Sequence, residues 1–194
     1  TLNRASDNNG KWNIDAYGSG DNPDFRLHAN AATHFSINTS GQWVKAPQGT
    51  VIKVGYNRYD PNTDSYSVIG QDTLARSAAY VDYTCQRTDS TLIIMTRMHT
   101  RMINATGASY GIQYSTDSGS SWTSLDGMVN RNAQDFFFKG DSVNHHYTAF
   151  CIREINAYSG TRRFSPWGQG WGGGTWEVSY GHGEHSITIF EVQT

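Results

Sequence analysis

The chain has 194 residues and a net charge of −2; it is 37% hydrophobic, 13% aromatic and only 16% charged, with 20 glycines. That length suits one β-domain of ordinary size plus an appendage. The absence of any Lys/Arg block argues against a nucleic-acid or acidic-membrane partner, and no run approaches the roughly eighteen apolar residues of a membrane-spanning helix.

The chain opens on Thr1-Leu2-Asn3-Arg4, which has neither an initiator Met nor the look of a signal peptide. We therefore expect a processed chain or the ordered part of a longer polypeptide. Short alternating segments follow: Lys11 to Tyr17, Asp24 to His28 and Thr33 to Asn38, separated by Gly/Ser/Asn/Pro turns. Each offers two or three apolar side chains on one face, the mark of a short strand. So little apolar surface does not offset the entropy of ordering them. Residues 1–46 thus read as an extended β lead-in that needs a neighbour, either the head or other copies of the chain.

The texture changes at Ala46-Pro47-Gln48-Gly49, and residues 47–194 read as one head domain. Thr50 to Tyr56 is a strand with Ile52, Val54 and Tyr56 on one face. Leu92 to Ile103 is the longest strand, its even positions (Leu92, Ile94, Met98) facing a core while its odd positions turn from Ile93 and Met95 to Arg97, His99 and Arg101. Further strands are Tyr110 to Tyr114, Gln134 to Phe138, His146 to Ile155, Thr175 to Tyr180 and Ser186 to Val192. No 3.6-residue period survives three turns, so the fold class is all-β: an antiparallel β-sandwich or jelly-roll head behind a short β-strand N-terminal lead-in. Cys85 and Cys151 both sit in strand-like runs. They are either two small buried hydrophobes or one bridge between neighbouring strands in an oxidising compartment.

Three segments carry a family resemblance: Pro47 to Val54, Arg87 to Ile94 and the closing Ser186 to Val192, with Gly41 to Val44 leading in. Over residues 47–194 the pattern resembles the C-terminal β-domains of fibre, spike and decoration proteins of tailed phages of the marine or cyanophage kind. That resemblance implies a virion component, a homotrimer contacting other virion proteins, engaged in host attachment or shell reinforcement.

Ser115-Thr116-Asp117-Ser118-Gly119-Ser120-Ser121-Trp122 fits S-x-D-x-G-x-x-W, which resembles the hairpin turn repeated in sialidases. Its residues suit a structural turn: Asp117 accepts backbone N–H bonds, Gly119 supplies a positive φ, and Trp122 packs back on the strand. Pro166-Trp167-Gly168-Gln169-Gly170-Trp171, continuing to Trp176, is a glycine-spaced aromatic run. It reads as a loop whose Trp167, Trp171, Trp176 and Gln169 contact a host surface glycan, or as a loop whose indoles pack on a subunit interface or the core. His182-Gly183-Glu184-His185 is half a metal site at most; a surface or pairing role suits it better, so no metal or other cofactor is assigned. Glu154, Glu177, Glu184 and Glu191 are the acids available to a glycosidase pair, but the sequence sets no two of them across a cleft. The expectation is a non-enzymatic virion structural protein. The alternatives are a carbohydrate-binding module that uses the Trp/Gly segment and, less well supported, a glycan-degrading tailspike.

Overall fold

The computed structural model describes residues 2–3, 11–17, 24–29, 32–37, 43–45, 48–60, 67–70, 74–103, 107–125, 136–139, 145–171, 175–178 and 183–194. The chain divides into two compact units, Thr1–Ile52 with Val192–Thr194, and Lys53–Glu191.

In the first unit, β1 (Leu2–Asn3), β2 (Lys11–Tyr17), β3 (Asp24–Ala29), β4 (Ala32–Ile37) and β5 (Trp43–Lys45) form a five-stranded sheet in chain order. Its pairings are antiparallel, with irregularities at Leu27/His28 and Ser36/Ile37. Gly49 N–H bonds the Gln193 carbonyl at 2.7 Å and Gln193 N–H bonds the Thr50 carbonyl at 2.9 Å, which ties the end of the chain to this unit.

The head uses β6 (Val51–Tyr59), β7 (Ser67–Gly70), β8 (Leu74–Arg76), β9 (Val81–Thr84), β10 (Ser90–Ile103) and β11 (Gly107–Ser115). These are followed by β12 (Thr123–Ser124), β13 (Phe136–Lys139), β14 (His145–Asn156), β15 (Thr161–Trp171), β16 (Thr175–Val178) and β17 (His185–Gln193). One sheet runs β6-β17-β10-β14, with β16 and β7 extending it beside the far end of β10; the other runs β9-β15-β11-β13, with β8 and β12 as flanking pieces. Numbering β6, β9, β10, β11, β13, β14, β15 and β17 from one to eight, the sheets read 1-8-3-6 and 2-7-4-5. Each sheet mixes strands from both ends of the head, so the chain crosses repeatedly from one sheet to the other. That is the jelly roll, a double-sheet solution to burying one face of each sheet.

The core lies between the sheets. Leu92, Ile94, Met98, Ala149, Cys151, Ile187 and Ile189 come from the first sheet; Val81, Tyr83, Ala108, Tyr110, Ile112 and Phe164 come from the second. Period-two alternation accounts for the set: β17 alternates buried and half-buried through its whole length because successive side chains of a strand point to opposite faces. Cys151 belongs to this cluster, Cys85 packs against it, and neither forms a disulfide.

The segment around Pro166 departs from the sequence reading. Pro166 to Trp171 is not a loop but half of β15, paired with β11 from Ser115↔Arg163 to Gly107↔Trp171. Proline is normally excluded from a central strand because it lacks an N–H. Here β15 pairs with β9 through Phe164 and with β8 from Trp167 onward, so Pro166 falls at the break between them. Its carbonyl accepts a bond from Ser77 N–H at 3.0 Å on that side. A strand residue presents N and O to the same neighbour, so the missing donor also faces the gap rather than β11.

Candidate functional site

Two strands of the first sheet each turn a pair of large apolar residues outward. On β6, Lys53, Gly55 and Asn57 face inward: the Lys53 ammonium lies 4.6 Å from the Tyr83 ring centre and bonds the Thr84 carbonyl, and Asn57 Nδ2 donates to the Tyr80 carbonyl at 2.7 Å. Val54 and Tyr56, the apolar face read from the sequence, point outward at 54% and 60% exposure. On β14 the small Ala149 and Cys151 face inward, with Tyr147 and Ile155 of the same strand also packed on the core, while Phe150 and Ile152 are 64% and 56% exposed. Register places Phe150 beside Arg97 and Ile152 beside Met95 on β10. Between these rows lies a groove of about 290 Å³, lined chiefly by Met95, Arg97, Phe150, Ile152, Thr188 and Phe190. Its surroundings become polar toward one end, where His99 stacks on His146 at 5.6 Å and Arg58 pairs with Glu184 at 2.8 Å.

The outer face of the second sheet is built differently. Arg163 grips Asp82 through two 2.7 Å bonds and lies 4.0 Å from the Tyr80 ring centre. Arg76 lies 4.9 Å from the Trp122 ring centre and donates to Gln113 Oε1 at 2.8 Å. Arginine over an aromatic ring covers apolar surface with a hydrated charge. The Tyr80 and Trp122 rings are capped by arginine in this way; among the described residues Phe150 and Ile152 have no such cap.

The Ser115–Trp122 segment is a self-bonded turn. Asp117 accepts the Ser115 hydroxyl at 2.6 Å, Ser121 N–H at 2.8 Å and the Ser121 hydroxyl at 2.5 Å. Trp122 Nε1 donates to the Gly119 carbonyl at 2.9 Å, and Gly119 sits at φ +100°. The bonds from Ser115 and Ser121 hold the Asp117 carboxyl well below the usual carboxylate range. Arg163 Nη1 donates to the Ser118 carbonyl at 2.8 Å, pinning the turn to β15.

Trp167, proposed from the sequence as a ligand contact, is 1% exposed. Its indole has no open face for a sugar ring, because the glycine spacing that suggested a loop instead lets the ring lie across Gly111 of β11. Gln169 is half-buried on β15 beside Ser109. Trp171 and Trp176 sit in β15 and β16, but their side chains lie outside the described residues, as does His182.

His185 is enclosed. Its Nε2 lies 2.7 Å from the His99 carbonyl and must carry the proton, while Nδ1 accepts from the Ser77 hydroxyl at 2.8 Å. Burial lowers its pKa to about 4. Among the described residues no group of three or more His, Cys, Asp or Glu is placed to hold a metal ion. Glu191 is fully buried: one carboxylate oxygen accepts Gln86 N–H at 2.8 Å and the Tyr83 hydroxyl at 3.1 Å; the other accepts Arg87 N–H at 2.8 Å and the Ser90 hydroxyl at 2.7 Å. Four donors engage it in holding the loop before β10. Glu154 stands exposed beside Ile93, and the Glu177 side chain is outside the described residues.

No protein-family model and no curated protein matches the chain. Among solved structures it is similar to an Eiger TNF from S. frugiperda, at 8% identity and a TM-score of 0.42 over 72% of this chain and 92% of that one. It is also similar to a promiscuous carbohydrate-binding module of the β-sandwich superfamily, at 9% identity and a TM-score of 0.22 over 93% of this chain and 74% of that one. Neither likeness is strong enough to carry an argument; the jelly roll rests on the strand order above. Among the described residues no helix is long and apolar enough to cross a membrane.

The sequence signal for the groove face was present but ambiguous. Val54-Tyr56 and Phe150-Ile152 are apolar pairs at strand spacing, and a pattern of that kind states which residues share a face without stating which way the face points.

Proposed function

We propose that this chain is a non-enzymatic structural protein of a tailed-phage virion that works by packing against copies of itself as a homotrimer. In this reading it is the head of a tail fibre or spike, or a capsid-decorating protein, and it serves host attachment or shell reinforcement. The observation that carries the assembly reading is the pair of large apolar residues that β6 and β14 each expose. Val54, Tyr56, Phe150 and Ile152 stand outside while Lys53, Asn57, Ala149 and Cys151 stand inside. A strand patterned this way on a water-facing sheet gains stability only when a partner covers it. The virion setting rests on the sequence resemblance over residues 47–194.

Light scattering coupled to size exclusion tests the assembly: the mass should be near three times 21.6 kDa. A folded single chain at micromolar concentration would sink it. The virion setting is tested by antibody labelling of particles from the source; labelled tails or shells support it and unlabelled particles count against it. The carbohydrate-binding alternative has lost Trp167 from its contact set. Saturable binding on a glycan array, abolished by substituting Trp171 or Trp176, would restore it.

A further inference from the structure

The groove on the first sheet has one cationic end and one apolar end, and register decides which is which. On its β10 floor, Met95 pairs with Ile152 of β14 and Arg97 pairs with Phe150. On the other side, His185 of β17 meets β10 at His99 and Glu191 meets it at Ser90. The two strands therefore run antiparallel, which sets Ser186 toward Arg97 and Phe190 toward Met95. Among the described residues no carboxylate or carbonyl is bonded to the half-buried Arg97 guanidinium. Its Nε is enclosed, but the two terminal nitrogens are not. Glu184 is taken up by Arg58 at 2.8 Å. Glu154 stands opposite Ile93, four positions from Arg97 and so about 13 Å away along the strand. We propose that the groove binds a small monocarboxylate with an apolar body, its carboxylate on the terminal nitrogens of Arg97 and its body among Met95, Ile152 and Phe190.

The chemistry of the ligand follows from these positions. A guanidinium set among apolar side chains without a counter-charge is costly, and a carboxylate answers it with two parallel charge-assisted hydrogen bonds. The Arg97 charge is felt within the fold: protonation of His185, disfavoured first by its burial, is disfavoured further by that arginine. One unmatched cation calls for a single negative charge. Beyond Arg97 come the stacked rings of His99 and His146 rather than an acid that would repel the ligand. The body of the ligand must be apolar, because Met95, Ile152 and Phe190 offer it no hydrogen bond. It must also be small. The groove holds about 290 Å³, close to the lower end of the range for small-molecule pockets, about 300–1,000 Å³. From Ser186 to Phe190 is four residues, or about 13 Å, so the fit is a medium-chain aliphatic or an aryl carboxylate. Every group involved belongs to one chain, so this inference goes beyond the assembly reading and does not depend on it.

Octanoate, kept below micelle-forming concentrations, is the probe, added to the full chain while methyl NMR follows Met95 and Ile152. Saturable shifts at both residues are expected, with octan-1-ol and octylamine binding at least tenfold more weakly. Arg97→Gln should weaken octanoate at least tenfold and leave octan-1-ol unchanged. Ile152→Asp, at an exposed position, sets a carboxylate opposite Met95 and should weaken both; it takes over the test should Arg97→Gln lose its circular dichroism spectrum. The proposal is overturned if neither methyl shifts, if octan-1-ol binds as tightly as octanoate, or if a folded Arg97→Gln protein binds octanoate as the parent does. Flotation with phosphatidylserine vesicles separates a free ligand from a membrane surface. The protein should stay in solution, and Arg97-dependent flotation would overturn the small-molecule reading. Light scattering on the same samples keeps the two claims apart. Octanoate bound by a single chain supports this site and removes the trimer; a trimer that ignores octanoate does the reverse.

Discussion

The indole of Trp167 lies flat against Gly111 on the neighbouring strand. A Cβ placed on that glycine would stand 2.8 Å from Trp167 Nε1 and 3.1 Å from Cε2. The two residues are directly paired across β11 and β15, and the missing side chain of one makes the space that the other fills. Gly111→Ala should therefore destabilise the head by about 1–3 kcal/mol through overpacking. Trp167→Ala should cost about 3–5 kcal/mol as a large buried ring is lost. Urea denaturation followed by circular dichroism measures both. A Trp167→Ala protein as stable as the parent would contradict the burial of that indole.

Glu191 should be a stability residue rather than a catalytic one. Replacing it with Leu leaves the Gln86 and Arg87 N–H groups and the Tyr83 and Ser90 hydroxyls without their shared acceptor. Unmet buried donors cost about 1–3 kcal/mol each. We expect a loss of several kcal/mol in a denaturant titration. A change under about 0.5 kcal/mol, typical of exposed sites, would contradict the buried network.

His185 makes stability depend on pH in a stated direction. Its folded pKa, near 4 through burial, lies below the ordinary 6.5. Its contribution is complete above about pH 6.5 and is lost as pH falls toward 4, because the unfolded chain takes up the proton first. The loss is on the order of 3 kcal/mol. Thermal melts between pH 7 and 4.5 should show the fall, and His185→Gln should flatten it. An imidazole resonance titrating near 6.5 in the folded protein would contradict the enclosure.

The Asp117 turn predicts a smaller effect at lower pH. Its carboxyl is depressed by the Ser115 and Ser121 bonds, so the stability it contributes is present above the ordinary value of about 4 and fades as pH falls below it. Asp117→Asn should lower the melting temperature at pH 7, and the gap from the parent should narrow as pH falls below about 4. Equal gaps at pH 7 and pH 3 would mean that the charge plays no part.

Much of the head was legible along the chain. The alternation from Leu92 to Ile103 identified Leu92, Ile94 and Met98 as core residues, and all three are buried. Ser186 to Val192 likewise became the alternating β17, because side-chain direction in a strand is a local property repeating every two residues. The segment from Thr161 to Trp171 was not legible as a strand: proline and glycine read as punctuation wherever the neighbours are unknown. What made Pro166 tolerable was a gap between β8 and β9, about ninety positions earlier in the chain, and what made Trp167 buried was a glycine on β11.

The sequence by itself determined that the chain is all-β and which residues share a face, since both follow from short-range sterics and period-two geometry. Only the tertiary structure decided that the Val54-Tyr56 and Phe150-Ile152 faces point away from the core. That choice depends on which strands pair and on which side the second sheet packs. Both are set by hydrogen bonds and burial between residues far apart in the chain, such as β6 beside β17, and no local window of sequence contains them.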